Sequence, residues 1–450
     1  MTNNISTVYV CSNCDAQFSK WNGRCLECGA WGTLQVQNID KKNENKGLLK
    51  ISPVETLELD KIEINKFERI KTSITEIDRV LGGGIIPGSL ILLGGEPGVG
   101  KSTIVAQIAD ALSKNDKIIF YVSGEESAHQ IKDRLERLNC NLKNIKFISE
   151  INIEKIISTV ENLKPDLVII DSIQTVYTSN LPSESGSLNQ IRASAVKFLE
   201  LAKSKNISII LIGHITKDGQ LAGPKSLEHI VDTVIYLETD KANNFRVLRA
   251  VKNRFGSINE IGIFEMTGVG FKEITNPGGI FLELNDNKIP GTVISSIMEG
   301  SRPFLIEVQA LTTKTFFGYP QRKTSGFDLN RLQVLLAVLI KRAKINLSNQ
   351  DVILNIAGGI KINEPELDLA VCTAIVSSLL DQNIDRKTLI LGEVGLGGEI
   401  RNVFKLEQRL LEAEKLGFEK AIIPECNIKV KKIKLIKIKN ISEILNYMKK

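Results

Sequence analysis

No stretch of this 450-residue chain stays apolar long enough to cross a bilayer. The longest runs, such as Ser89–Leu93 and Leu332–Ile340, fall far short of the roughly 20 residues that a membrane helix needs. The N-terminus, Met1-Thr-Asn-Asn, lacks the basic-then-apolar order of a secretion signal, so a cytoplasmic protein is expected, without membrane association. Internal repeats are lacking, which excludes solenoid architectures. A strong excess of one charge is lacking too: 58 Lys and Arg against 52 Asp and Glu leave a formal charge of +6. That balance permits a nucleic-acid partner without demanding one. It gains weight if copies assemble around a channel, because the potentials of neighbouring subunits add.

What is present divides into segments. Cysteines number only seven, and four of them crowd into residues 11–28. Cys11-x2-Cys14 and Cys25-x2-Cys28 are separated by ten residues. Each pair can grip one edge of a tetrahedral ion, and soft thiolates in a reducing compartment favour Zn2+ over disulfides. With all four ligands supplied by protein, the ion is structural. Cys28 is followed by Gly29, which lets a knuckle turn toward the metal. The scattered Cys140, Cys372 and Cys426 read as small buried apolar residues. This module, residues 8–34, is followed by a polar, Lys- and Asn-rich linker assigned to residues 35–66.

From residue 67 apolar runs alternate with amphipathic stretches. Ser89–Leu93, Lys117–Val122, Leu167–Ile170, Ser208–Ile212 and Thr233–Leu237 are expected strands, with helices such as Thr103–Ser113 and Ser127–Leu138 between them. The pattern is that of a doubly wound parallel α/β domain, whose ligand sits at the carboxyl ends of its strands. A β-rich stretch, Arg246–Lys272, follows, and a break at Asn276-Pro-Gly-Gly opens a second α/β unit.

The sequence Gly95-Glu96-Pro97-Gly98-Val99-Gly100-Lys101-Ser102-Thr103 is a complete phosphate-binding loop between a strand and a helix. Backbone N–H groups would cradle the phosphates of ATP, Lys101 would reach the β and γ phosphates, and Ser102 would ligate Mg2+. Asp171 ends the strand LVII about seventy residues later and takes the position of the carboxylate that holds magnesium. At another strand end lie Glu125 and Glu126. Glu125 is taken as the base that deprotonates the attacking water, with Glu126 in reserve, although acids at a helix start are favoured for other reasons. His214 lies just past the fourth strand, placed to sense the γ-phosphate, and Lys217 and Lys225 in the loop beyond suit a phosphate backbone.

These residues together resemble one family, the bacterial RadA (Sms) DNA repair proteins. The resemblance covers nearly the whole chain. It rests on WNGRC in the cysteine module, GGEPGVGKST, VSGEES, LIGHITKDG and, above all, VKNRFG at Val251–Gly256. It implies a RecA-like P-loop ATPase core (residues 67–275) between the zinc module and a C-terminal Lon-protease-like α/β domain (residues 276–450). It further implies DNA-dependent ATP hydrolysis in recombinational repair, with branch migration driven by a ring, a homo-hexamer. The implied partners are single-stranded and branched DNA and a recombinase of the RecA type. Lys252 and Arg254 would then reach a neighbour's nucleotide. Residues two apart on an extended segment share a side, and a cation placed in trans stabilises charge developing in phosphoryl transfer.

By its resemblance to Lon proteases, this domain has Glu366 where those enzymes carry their serine nucleophile and Glu407 where they carry their lysine. A Ser–Lys dyad needs a hydroxyl and an amine, so peptidase activity is not expected. The basic run Lys429–Lys439 is either a positive stripe or an edge strand protected by lysines. The competing reading for the whole chain is a regulatory ATPase similar to the KaiC group that does not translocate on DNA.

Overall fold

The computed structural model describes residues 5–11, 17–27, 29–40, 68–214, 227–239, 245–274, 289–316, 318–357 and 362–448. Contacts divide the chain into two units, residues 1–66 and 67–450.

In the first unit, strand β1 (Ile5–Cys11) pairs antiparallel with β2 (Gln17–Phe18) and β3 (Leu34–Asp40). Strand β3 therefore occupies the start of the stretch read as linker. Its polar sequence hid it, but seven residues in register with β1 satisfy backbone groups whatever the side chains are. Residues 41–67 lie outside the described residues.

The second unit carries two sheets. The first begins with helix α1 (Thr75–Val80) and strand β4 (Leu90–Gly95), followed by α2 (Lys101–Lys114), β5 (Ile119–Ser123), α3 (Ala128–Arg137), β6 (Ile145–Ile148) and α4 (Ile153–Leu163). Next come β7 (Leu167–Asp171), α5 (Leu188–Lys205), β8 (Ser208–His214), β9 (Thr233–Thr239), β10 (Phe245–Asn253), β11 (Ile261–Thr267) and β12 (Gly270–Glu273). The strand order is β12-β11-β10-β9-β4-β8-β7-β5-β6. The six strands from β9 to β6 are parallel, and β10 to β12 add an antiparallel flank. Strands β4, β5 and β7 are buried along their whole length, which is why they read as unbroken apolar runs rather than alternations. Apolar layers on the two faces of this sheet fix the strands, so the strand ends are rigid platforms. The short β6 is only half-buried, and its sequence, IKFI, carries too little signal to be found alone.

The second sheet contains β13 (Thr292–Glu299), β14 (Arg302–Lys314), β15 (Arg322–Ser325), β16 (Gln350–Ile356), β17 (Thr388–Ile390), β20 (Lys420–Pro424) and β21 (Lys434–Ile438), in the order β15-β16-β14-β13-β17-β20-β21. Helices α6 (Leu329–Lys341), α7 (Asp368–Leu380), α8 (Leu406–Lys415) and α9 (Glu443–Met448) accompany it, and a small ribbon pairs β18 (Glu393–Val394) with β19 (Ile400–Arg401). The expected break at Asn276-Pro-Gly-Gly lies outside the described residues; β12 ends at Glu273 and β13 begins at Thr292.

The two sheets share packing. Ile261 and Ile263 of β11 belong to the apolar cluster built mainly by β13, β14, α6 and α7. A buried ion pair reinforces that seam: Arg302 Nη1 donates to Glu76 Oε2 at 2.5 Å, and the Ile263 amide donates to the same oxygen at 3.0 Å. The basic run places β21 at the sheet edge, where Lys437 donates to the Cys426 carbonyl and Lys439 pairs with Glu425. Of the three scattered cysteines only Cys372 is buried. Cys140 and Cys426 are half-buried, a correction to the sequence reading, because both lie outside the strands and helices that form the core.

Candidate functional site

Strand β4 ends at Gly95, and the loop to α2 turns back over the strand's carboxyl end. Its last glycine, Gly100, has φ +109°, and a Cβ there would stand 2.6 Å from Phe271 Cζ and 2.8 Å from Met266 Cε. Only glycine accepts both the left-handed backbone and that close approach. Lys101 opens α2 and is buried, and its Nζ donates to the carbonyls of Gly95 at 2.8 Å and Glu96 at 3.0 Å. The ammonium is thereby held inside the loop. Burial lowers its pKa, while Asp171 and Glu125 nearby act in the opposite direction.

Asp171 ends β7, next to β5 and β8 in the sheet, and is 5% exposed. Burial raises its pKa, opposed by hydrogen bonds from Tyr121 and Ser102. The Tyr121 hydroxyl donates to Asp171 Oδ2 at 2.7 Å, and burial beside that carboxylate pushes the phenol well up. Ser102 and Asp171 thus meet side by side, a hydroxyl and a carboxylate at the mouth of the phosphate loop. That is a donor set of the oxygen type suited to Mg2+.

The two glutamates after β5 have different surroundings. Glu126 is an ion-pair partner of Arg134 on α3. Glu125 has no arginine or lysine within ion-pair distance among the described residues; its Oε1 accepts from Ser172 Oγ at 2.5 Å and lies 3.6 Å from His214 Nε2. The His214 carbonyl in turn accepts from Gln174 Nε2 at 3.4 Å. Residues expected as base and sensor are therefore neighbours, brought together from β5 and β8 across the end of β7. Tyr121, Arg134, Ser172 and Gln174 were missed in the sequence. Tyr121 looks like one more apolar residue of a strand, and Ser172 carries a signal only by following the acid.

Lys252 and Arg254 are not in this cluster. Lys252 lies opposite Val234, which pairs with Leu92, three residues before Gly95, or about 10 Å down the sheet at roughly 3.3 Å per residue. Its Nζ donates to the carbonyls of Glu228 at 2.5 Å and Val231 at 2.8 Å. Arg254 lies beyond the end of β10, so the two residues do not share one extended segment as the alternation argument required. Arg254 Nη1 is 3.5 Å from Asp232 Oδ1; Asp232 is buried, accepting from the Leu90 amide and Lys203 Nζ. Both cations thus stand at the amino ends of β4 and β9, away from this chain's own phosphate loop. Lys217 and Lys225 lie outside the described residues.

In the cysteine module, Cys11 ends β1 and Cys25 opens a turn in which the Gly29 amide donates to the Cys25 carbonyl at 3.0 Å, with Gly29 at φ +73°. Both thiols are buried. Two buried sulfurs, one beside a knuckle-type turn, fit a thiolate metal site; Cys14 and Cys28 lie outside the described residues. In the second sheet, Glu366 sits in the single turn before α7 and Glu407 in the first turn of α8. Arg409, one of the most deeply buried side chains, donates to Glu364 at 2.8 Å and to the Phe404 carbonyl, which makes this region a packed joint.

Comparison with known proteins decides the family. The chain is 44% identical to DNA repair protein RadA of Bacillus subtilis (strain 168) over 445 residues, 97% of each chain. It is 47% identical to DNA repair protein RadA of Streptococcus pyogenes serotype M6 over 421 residues, covering 93% of this chain and 92% of the relative. The chain belongs to the RadA family of DNA repair proteins.

Residues 9–35 match the rubredoxin metal binding domain family, residues 53–220 the AAA domain family, and residues 331–427 the family described as subunit ChlI of Mg-chelatase. The architecture is thus an N-terminal zinc ribbon, a RecA-like P-loop ATPase core and a C-terminal ChlI/Lon-like α/β domain, as expected for a RadA-family ATPase. Among solved structures, a KaiC-like protein from the archaeon Pyrococcus horikoshii OT3 covers 46% of this chain and 99% of its own, with a TM-score of 0.40 and 22% identity. Among the described residues, no helix is long and apolar enough to cross a membrane.

Proposed function

We propose that this protein is a DNA-stimulated ATPase of recombinational repair, working as a ring-shaped motor that promotes branch migration of recombination intermediates. The observation that carries this reading is the division of labour across one sheet. Lys101, Ser102, Asp171 and Glu125 meet at the carboxyl ends of its strands, whereas Lys252 and Arg254 stand at the opposite ends. Cations so placed are out of reach of their own nucleotide and suit contact with a neighbouring subunit's in a closed ring, a homo-hexamer.

Within the site, the backbone of Gly95–Gly100 cradles the phosphates of ATP, and Ser102 and Asp171 hold Mg2+. That ion, when bound, neutralises charge on the β and γ phosphates. Glu125 acts as the base. Arg134 engages Glu126 and leaves Glu125 with a hydroxyl and an imidazole, which favours Glu125 for the role. His214 reports the phosphate state to the loop that follows it. Cys11, Cys14, Cys25 and Cys28 hold Zn2+. The partners are single-stranded and branched DNA and a recombinase of the RecA type, in the cytoplasm. The ChlI/Lon-like domain, with Glu366 and Glu407 where a peptidase would need serine and lysine, supports the ring rather than cutting peptides.

The test is the ATPase rate with and without single-stranded DNA, for wild type and Lys101→Ala. Stimulation by DNA that vanishes with Lys101→Ala supports the motor. Hydrolysis indifferent to DNA, from a protein that does not bind it, would replace this reading with a regulatory ATPase similar to the KaiC group.

A further inference from the structure

Glu125 has a difficulty as a base: its side chain is 41% exposed, on a short turn after β5, and no lysine or arginine among the described residues lies within ion-pair distance to fix it. A carboxylate free to change rotamer loses the alignment with water on which general-base catalysis depends. The structure supplies a fixed donor. Ser172 is fully buried, directly after Asp171. Its backbone is tied down on two sides: the Ser172 carbonyl accepts from Thr175 Oγ1 at 2.9 Å, and the following Ile173 amide donates to the Ile212 carbonyl of β8 at 2.9 Å. From that anchored position its hydroxyl donates to Glu125 Oε1 at 2.5 Å. His214 Nε2 stands 3.6 Å from the same oxygen.

We infer that Ser172 is the positioning residue of the hydrolytic base: it pins Glu125 Oε1 to the end of the metal-binding strand, so that Oε2 is the oxygen that takes the proton from water. Among the described residues no hydrogen bond to Glu125 Oε2 is present, which leaves that atom available. In the resulting step the proton passes from water to Oε2 and the water oxygen bonds to the γ-phosphorus. The bond from that phosphorus to the β–γ bridging oxygen breaks, its electron pair leaving with ADP. One turn, Asp171-Ser172, then sets both the metal and the base.

This inference rests on Glu125 being the base, and the experiment separates the two. Steady-state ATPase of the full-length protein is measured for Ser172→Ala and Glu125→Gln, together with affinity for a fluorescent ADP analogue with Mg2+ and the melting temperature. A hydrogen bond to a charged group corresponds to roughly a 10- to 100-fold effect. Ser172→Ala should therefore lose about that much kcat, with KM and nucleotide affinity within about twofold of wild type and an unchanged melting temperature. Wild-type kcat in Ser172→Ala overturns the inference. So does a fall in kcat matched by lost nucleotide affinity or by several degrees of melting temperature, which would make Ser172 merely structural. If Glu125→Gln still hydrolyses ATP at an undiminished rate, the base assignment itself has failed, whatever Ser172→Ala does.

Discussion

Replacing Arg302 with methionine tests how the two sheets of the second unit are coupled. Glu76 is fully buried in α1, and Arg302, at the start of β14, is 8% exposed. Arg302 Nη1 meets Glu76 Oε2 at 2.5 Å; among the described residues that carboxylate also accepts from the Ile263 amide at 3.0 Å and lies 3.6 Å from the Arg79 guanidinium. Burial depresses the Arg302 pKa, and the Glu76 charge opposes it, so the pair is held against desolvation by its own attraction. Arg302→Met keeps much of the side-chain length and removes the cation. It leaves a buried carboxylate with one backbone donor and a longer contact to Arg79. Breaking such a pair from one side costs about 3–5 kcal/mol. At roughly 2 °C per kcal/mol, the low end appropriate to a large unit, the melting temperature should fall by about 6–10 °C. Glu76→Gln combined with Arg302→Met removes the stranded charge while keeping an acceptor for the Ile263 amide, and should recover at least half of the loss. Thermal melts followed by circular dichroism measure both. A single variant within about 2 °C of wild type, or a double variant no more stable than the single, would refute the reasoning.

Other consequences follow from the site. Gly124→Ala would place a Cβ 2.5 Å from Thr175 Oγ1 and 2.6 Å from Ile151 Cγ2, displacing the threonine that braces Ser172. ATPase should fall by about tenfold, with a stability cost of roughly 1–3 kcal/mol from overpacking; unchanged hydrolysis would show that the turn absorbs the methyl. The raised pKa of buried Asp171 means that the folded state binds this proton more readily than the unfolded state. As pH falls from neutral through the folded pKa toward the ordinary carboxylate range, this group therefore stabilises the metal-free protein while Mg2+ binding weakens. Asp171→Asn should abolish that component of the pH dependence in denaturation curves taken without metal. Stoichiometric zinc is expected in the purified protein, and Cys25→Ser should release it, as read by a chromophoric chelator. An equal zinc content in variant and wild type would remove Cys25 from the ligand set.

Much of the site is legible along the chain because its parts are local. A phosphate loop needs glycines at fixed spacing between a strand and a helix, so Gly95 to Ser102 announces itself, and a carboxylate ending the buried run LVII singles out the position proposed for the metal ligand with equal economy. The fully buried strands were equally plain, since a strand covered on both faces has no polar positions to blur it. Strand β3 was not, because its polar sequence carries no such run and only its register with β1 defines it.

The order of Glu125 and Glu126 in the chain suggested a preference for Glu125, but the physical difference between them arises only in the tertiary structure. Adjacent residues of one type are equivalent in a string, and only the arrival of Arg134 from α3 and of Ser172 from the end of β7 makes them different. The place of Lys252 and Arg254 was decided in the same way. An antiparallel strand returns the chain to the opposite end of the sheet, so residues that a motif groups with the nucleotide machinery stand far from their own phosphate loop. Sequence determines which chemical groups are available and where the backbone must turn. Which of them meet is decided by strand order and register, because side chains distant in the chain interact only when the sheet brings their ends together.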